Sequence, residues 1–145
     1  MKQKYILLVE DNPDEEVLAK RLLEHQGVFR EVIVARDGQE ALDNLLCNQD
    51  EGNQDKVELP DLILLDLNLP KISGLEVLRH LRSHPQTQLI PVVIFTSSAE
   101  ERDIIAAYEL GANSYIQKSI DFDEFSESLR RVCDYWGVLN TFLPA

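Results

Sequence analysis

Acidic residues close two of the most apolar runs in this chain. Tyr5-Ile-Leu-Leu-Val9 leads into Glu10-Asp11, and Leu62-Ile-Leu-Leu65 leads into Asp66. A continuous Val/Ile/Leu run reads as a strand buried on both faces. Its terminal carboxylates are therefore delivered to the edge of a sheet, where ligands bind in open α/β folds. Three acids gathered at one place repel one another unless a cation neutralises them. Hard oxygen donors without His or Cys suit magnesium or manganese, octahedral and partly hydrated. A carboxylate beside such a cation can act as a nucleophile toward phosphorus and become an aspartyl phosphate. Two further apolar runs end at Thr96 and next to Lys118. A metal, a hydroxyl and an ammonium at one rim can each compensate an equatorial oxygen of a transferring phosphoryl group.

Strands and helices must alternate to bring these residues together, and the chain reads that way throughout. Candidate strands are Tyr5–Val9, Glu31–Ala35, Leu62–Leu65, Val92–Phe95 and Ser114–Gln117. Five helical patterns follow them, each opened by a cap residue and an acid three positions on: Asn12 with Glu15, Asp37 with Glu40, Ser73 with Glu76, Ser98 with Glu101, and Asp121 with Glu124. In that spacing the first side chain accepts from an orphan N–H and the acid reaches back. Pro13 suits a first helical turn, and Gly27 and Gly111 are helix stops. Val77, Leu78 and Leu81 form one buried stripe, and Phe122, Phe125, Leu129, Val132 and Trp136 form another. The polar stretch from Cys47 to Pro60 reads as a surface extension, solvated over Asn48 to Glu58. Right-handed crossovers then imply a doubly wound, five-stranded parallel sheet in the common order 2-1-3-4-5. The winding switches between the strands that end in Glu10-Asp11 and Asp66.

Composition sets the remaining bounds. At 145 residues with 44% apolar content the chain is expected to be a single domain, 1–145, with no second or output domain. A formal charge of −12 argues against nucleic acid and against an anionic membrane surface. No apolar run approaches a bilayer span and no signal-peptide core is legible, so a cytoplasmic protein is expected. Cys47 and Cys133 then read as reduced thiols. His25, His80 and His84 read as surface residues.

Taken together, Ile6-Leu-Leu-Val-Glu-Asp11, Pro60-Asp-Leu-Ile-Leu-Leu-Asp66, Asn68-Leu-Pro70 with Gly74, Pro91-Val-Val-Ile-Phe-Thr96 and Gly111-Ala-Asn-Ser-Tyr-Ile-Gln-Lys118 resemble the receiver domain of two-component response regulators. The likeness runs over essentially the full length. It implies the flavodoxin-like fold and a Mg²⁺-dependent phosphoacceptor switch, a signalling domain rather than an enzyme, at most phosphorylating itself from small donors and dephosphorylating itself. Asp66 would accept the phosphoryl group from a histidine kinase. Asp11, Asp66 and the backbone carbonyl of Asn68 would contact the Mg²⁺ (Mn²⁺ as the alternative), and Glu10 would do so through water. Thr96 would hydrogen-bond the phosphoryl group, and Lys118 would pair with it. Tyr115 matches the switch aromatic, although the residue alone reads equally as a half-buried core tyrosine.

Several positions depart from the family pattern. Ser119 stands where proline usually follows the lysine, which removes the main support for a cis peptide there. Ser97 replaces a usual Ala or Gly, and Asn68 and Ser98 occupy positions that tune autodephosphorylation in relatives. A narrower likeness, through Cys133-Asp-Tyr-Trp136 to Leu143-Pro144, Asn68-Leu-Pro-Lys71 and Thr96-Ser-Ser98, is to the small single-domain regulators of cyanobacterial and bacterial phytochromes. It implies a phytochrome as kinase and a homodimer through helix four, strand five, helix five and the C-terminal extension from about residue 137 to 145. Val138, Leu139, Phe142 and Leu143 would form an exposed apolar patch on a monomer.

Two other function classes fit the fold less well. A haloacid-dehalogenase-like phosphatase needs an acid two residues after its nucleophile, and that position is Asn68. A flavodoxin needs a hydroxyl- and Gly-rich phosphate loop after the first strand, where this chain has Glu-Asp-Asn-Pro. No Walker or GxGxxG pattern occurs.

Overall fold

A computed structural model describes residues 4–47 and 58–144. Its five strands are β1 (Tyr5–Val9), β2 (Glu31–Ala35), β3 (Leu62–Leu65), β4 (Val92–Thr96) and β5 (Ser114–Gln117). They lie parallel in the order β2-β1-β3-β4-β5. Four strands match their expected bounds, and β4 runs one residue further, to Thr96. Helices α1 (Pro13–Gln26), α2 (Gly38–Leu42), α3 (Gly74–Ser83), α4 (Glu101–Glu109) and α5 (Phe122–Val132) connect and cover the sheet. α2 continues in a wider, π-type turn over Asp43–Cys47, and α5 does the same over Cys133–Leu139.

The three inner strands are buried almost throughout because they have neighbours on both sides and helices on both faces. Their side chains alternate between two cores. Leu7, Val9, Ile63, Leu65, Val92 and Ile94 pack with Ala41, Val77, Leu78, Leu81 and Ala107 on the α2, α3 and α4 side. Ile6, Leu8, Leu62, Leu64, Val93 and Phe95 pack with Ala19, Leu23, Phe125, Leu129 and Val132 on the α1 and α5 side. The period of two in an extended chain thus splits one apolar run between two cores.

Local signals hold at most helix ends. Asn12 Oδ1 accepts from the N–H groups of Asp14 and Glu15, Asp37 caps Glu40, Ser73 caps Glu76 and Asp121 caps Glu124. Gly27 closes α1 in the left-handed conformation that favours glycine. Ser98 departs from its expected cap: α4 starts at Glu101 with Glu100 before it, and no side chain caps it. Ser98 Oγ instead donates to Asp103 Oδ2 at 2.6 Å and accepts from Glu100 N–H at 3.3 Å, holding the β4–α4 loop. Phe122 also departs from its expected stripe. It is 59% exposed, because residues 120–124 all face solvent and the buried stripe begins one turn later, at Phe125.

The C-terminal region begins differently from the expected extension. Val138 and Leu139 belong to the helical continuation of α5, which leaves the helix at Asn140. Lys4 Nζ donates to Gly137 O at 2.9 Å and sits 5.1 Å over the Phe142 ring, so Phe142 is half-buried while Val138, Leu139 and Leu143 are exposed. The surface extension read from Cys47 to Pro60 falls largely outside the described residues. Its start is corrected, since residue 47 still lies in the wide turn, and Pro60 is buried. Cys133 is a free thiol that burial pushes up to about 11. His25 and His80 are exposed, whereas His84 is half-buried with Nδ1 2.7 Å from His80 O.

Candidate phosphoacceptor site

Hydrogen bonds continue the sheet one residue past its strands and carry the site with them. Glu10 N–H donates to Ala35 O, Asp66 N–H to Val9 O and Lys118 N–H to Thr96 O, at 3.0, 3.1 and 2.7 Å. The registers Val9↔Leu65, Leu65↔Ile94 and Thr96↔Gln117 set the ends of β1, β3, β4 and β5 on one rim. Chain elements more than 100 residues apart therefore converge where the winding changes direction.

Lys118 occupies the middle of the rim. Its ammonium donates to Glu10 Oε1, to Asp66 Oδ2 at 2.8 Å and to Glu15 Oε2 at 2.9 Å, one hydrogen for each carboxylate. Lys118, Glu10 and Asp66 are buried, and only Glu15 reaches solvent, with 36% of its side chain exposed. Burial alone pushes the Lys118 pKa down, but hydrogen bonds and charge from Asp66 and Glu10 outweigh it, so the ammonium is held charged above its ordinary range. Burial and the nearby Asp66 push the Glu10 carboxyl up to about 7, against the pull of Lys118.

Backbone geometry fixes Asp66. Its Oδ1 accepts from Asn68 N–H at 3.1 Å. A Cβ on Gly74 would lie 2.2 Å from Asp66 O, so the start of α3 can approach the end of β3 only as glycine. Lys71, in the loop between them, has φ 68 and an ion pair to Asp37 at 3.2 Å.

The expected site residues do not all converge alike. Glu10, Asp66 and Lys118 meet. Asn68 touches Asp66 through its backbone. Asp11 is exposed at the end of β1, and its carboxylate is not among those gathered around Lys118, because successive residues of an extended chain point to opposite sides. Glu15 takes the third place, a role that its spacing to Asn12 concealed. The Asn12 N–H that Glu15 was expected to cover is taken by Glu10 Oε2 at 3.2 Å, which leaves Glu15 free to meet Lys118.

Thr96 is fully buried, and its Oγ1 accepts from Ser98 N–H at 3.5 Å. Tyr115 is half-buried and donates its hydroxyl to Ser98 O at 2.9 Å, so Ser98 bridges the threonine and the aromatic residue. Burial raises the Tyr115 pKa, which keeps the phenol a donor. No cis peptide occurs among the described residues, so Lys118–Ser119 is trans. Ser119 Oγ accepts from Asp121 N–H at 3.1 Å and donates to Glu124 Oε2 at 2.6 Å, linking this loop to the start of α5.

One oxygen from each of Glu10, Glu15 and Asp66 lies within 4.8 Å of the others. Such an all-oxygen donor set, two of its members buried, fits a hard divalent cation and offers nothing to a soft one.

The model of the response regulator receiver domain matches residues 6–130. Response regulator Rcp1 of Synechocystis is 39% identical over 133 residues, which cover 92% of this chain and 88% of Rcp1. Among solved structures, the phosphorylated cyanobacterial phytochrome response regulator RcpA is 38% identical, with a TM-score of 0.88 over 99% of this chain and all of that one. The Mn²⁺-bound form of Rcp1 is 39% identical, with a TM-score of 0.86 over 98% of this chain and 99% of its own. Sheet order, rim chemistry and sequence likeness agree over nearly the whole chain, and it belongs to the response regulator receiver domain family.

Proposed function

We propose that Asp66 is the phosphoacceptor of this receiver and that the donor is a histidine kinase, with a phytochrome favoured by the likeness to RcpA, a phytochrome response regulator. The single observation that carries the reading is a buried carboxylate at the end of β3, hydrogen-bonded to Lys118 and to Asn68 N–H. An Asp66 oxygen attacks phosphorus, a P–O bond forms, and the bond to the donor's nitrogen (or to the oxygen of a small donor such as acetyl phosphate) breaks. The electron pair leaves with the donor, and a nitrogen donor takes up a proton. Lys118 pairs with the charge gained on the phosphoryl oxygens, and Thr96, one strand away, supplies a hydroxyl.

Mg²⁺, or Mn²⁺ as in the Rcp1 structure, fits this oxygen-rich rim. Asp11, Asp66 and the Asn68 carbonyl would hold it directly and Glu10 through water. Such a cation supplies neutralising charge for the carboxylates and the phosphoryl group. Switching then runs from Thr96 through Ser98 to Tyr115, since Ser98 already contacts both side chains. Ile105 and Tyr108 on α4, Phe122 on α5 and Val138 and Leu139 beyond it are exposed apolar residues, which supports a homodimer through α4, β5, α5 and the C-terminal segment. The protein works as a cytoplasmic switch that signals by protein contact or onward phosphotransfer, with self-phosphorylation and self-dephosphorylation its only chemistry.

Acetyl phosphate with Mg²⁺ should add one phosphoryl group, read by intact mass, and Asp66→Asn should abolish it. Full labelling of Asp66→Asn refutes the assignment.

A further inference from the structure

All three hydrogens of the Lys118 ammonium are committed to carboxylates, and the three partners are not equivalent. Glu10 and Asp66 are buried, whereas Glu15, in the first turn of α1, keeps 36% of its side chain in solvent. Glu15 Oε2 is 2.9 Å from Lys118 Nζ and belongs to the group of carboxylate oxygens within 4.8 Å of one another. An anionic oxygen thus stands against the ammonium beside Asp66, the relation that a phosphoryl oxygen on Asp66 would need. We propose that Glu15 is an internal competitor for the phosphoryl group, holding Lys118 in the unmodified protein and giving it up when Asp66 is phosphorylated. This inference rests on Asp66 being the phosphoacceptor.

Three observations make Glu15 the partner that yields. Released into water, its half-exposed carboxylate is rehydrated, whereas releasing Glu10 would strand a buried charge. Its backbone place does not depend on its carboxylate, because Asn12 Oδ1 caps the N–H groups of Asp14 and Glu15. Its usual role in the helix start is already filled by Glu10 Oε2 on Asn12 N–H. Glu15 therefore opposes phosphorylation in two ways, by occupying a donor and by repelling the incoming negative charge.

The test titrates beryllofluoride, which adds to a carboxylate as a phosphoryl analogue, into Mg²⁺-loaded protein by calorimetry, with Mg²⁺ alone titrated separately. Glu15→Gln keeps the shape and removes the charge. Asp14→Asn, an exposed acid of the same turn, controls for net charge. Glu15→Gln should bind beryllofluoride about fivefold more tightly, the effect of one unit charge at 4 to 5 Å in water-like surroundings. Its Mg²⁺ affinity should fall, because the same lost charge faces a divalent cation, so beryllofluoride is titrated at saturating Mg²⁺. Both affinities of Asp14→Asn should stay within twofold of the wild type. Wild-type beryllofluoride affinity in Glu15→Gln, or an equal gain in Asp14→Asn, overturns the proposal. Weaker beryllofluoride binding by Glu15→Gln at saturating Mg²⁺ also overturns it and makes Glu15 a support of the metal site. Failure of the wild type itself to bind beryllofluoride instead removes the assignment of Asp66, and this inference with it.

Discussion

Replacing Lys118 by Met tests whether one ammonium is what allows the acidic rim to fold. The substitution keeps an unbranched chain near Phe95, whose ring centroid lies 5.7 Å from Nζ, and removes only the charge and its three hydrogen bonds. Two buried carboxylates, Glu10 and Asp66, are then left with oxygens within 4.8 Å of each other. At an effective dielectric of about 20, two unit charges at that distance repel by about 3.5 kcal/mol. That equals about 2.5 pKa units, so one of the pair takes up a proton above neutral pH. The sign follows from Glu10, whose folded carboxyl, already at about 7, is driven further above its unfolded value. A raised acid contributes stability that is present below the unfolded pKa and lost as pH rises through the folded one. Urea unfolding in EDTA should show Lys118→Met about 3 kcal/mol less stable than the wild type at pH 8, with a smaller deficit at pH 6. Millimolar Mg²⁺ should recover much of the loss at pH 8, since a cation again faces the carboxylates. Equal midpoints for variant and wild type in EDTA at pH 8 would refute the view that Lys118 balances the rim.

Other expectations follow from single features. With the Glu10 carboxyl at about 7, its favourable effect on metal-free folding is complete below about 4.5 and is lost as pH rises through 7. The ionised form is the one that faces a cation, so Mn²⁺ affinity by calorimetry should fall about tenfold per pH unit below 7, and a flat profile from pH 8 to 6 contradicts the shift. Arg82 donates to Gly111 O, Ile90 O, Gln88 O and Asn113 Oδ1 at 2.8 to 3.0 Å, joining α3 to the loops before β4 and β5. Arg82→Ala should cost about 3 kcal/mol by urea unfolding, and a loss below 1 kcal/mol would show that water replaces these bonds. Phe122→Asp places an acid at the first position of α5, where the helix dipole welcomes it, and removes an exposed aromatic from the proposed dimer face. Sedimentation equilibrium should show weaker self-association with stability unchanged; an unaltered dimer constant puts the interface elsewhere.

Local chemistry makes most of this molecule legible in its sequence. Apolar runs four or five residues long, broken by cap residues and acids, establish alternating strands and helices. Their ends deliver Glu10, Asp66, Thr96 and Lys118 to a common rim, because a parallel sheet aligns the same end of every strand. The motifs around those residues were enough to reveal the family. Patterns that depend only on neighbours three or four residues away, such as four of the five caps, also survive in the fold.

Tertiary structure decided wherever a distant group competes for a local one. Glu15 fits a helix-start pattern, yet it meets Lys118, 103 residues away, because Glu10 has already covered the Asn12 N–H. Ser98 has the spacing of a cap, yet Asp103 and Tyr115 hold it in the loop and α4 starts later. Phe122 has the period of a buried stripe but lies in an exposed first turn, and Asp11 shares Glu10's strand end but faces water. Periodicity specifies which side of an element a residue occupies. Only the packed chain specifies what stands opposite, and that depends on contacts between segments that no short window of sequence contains.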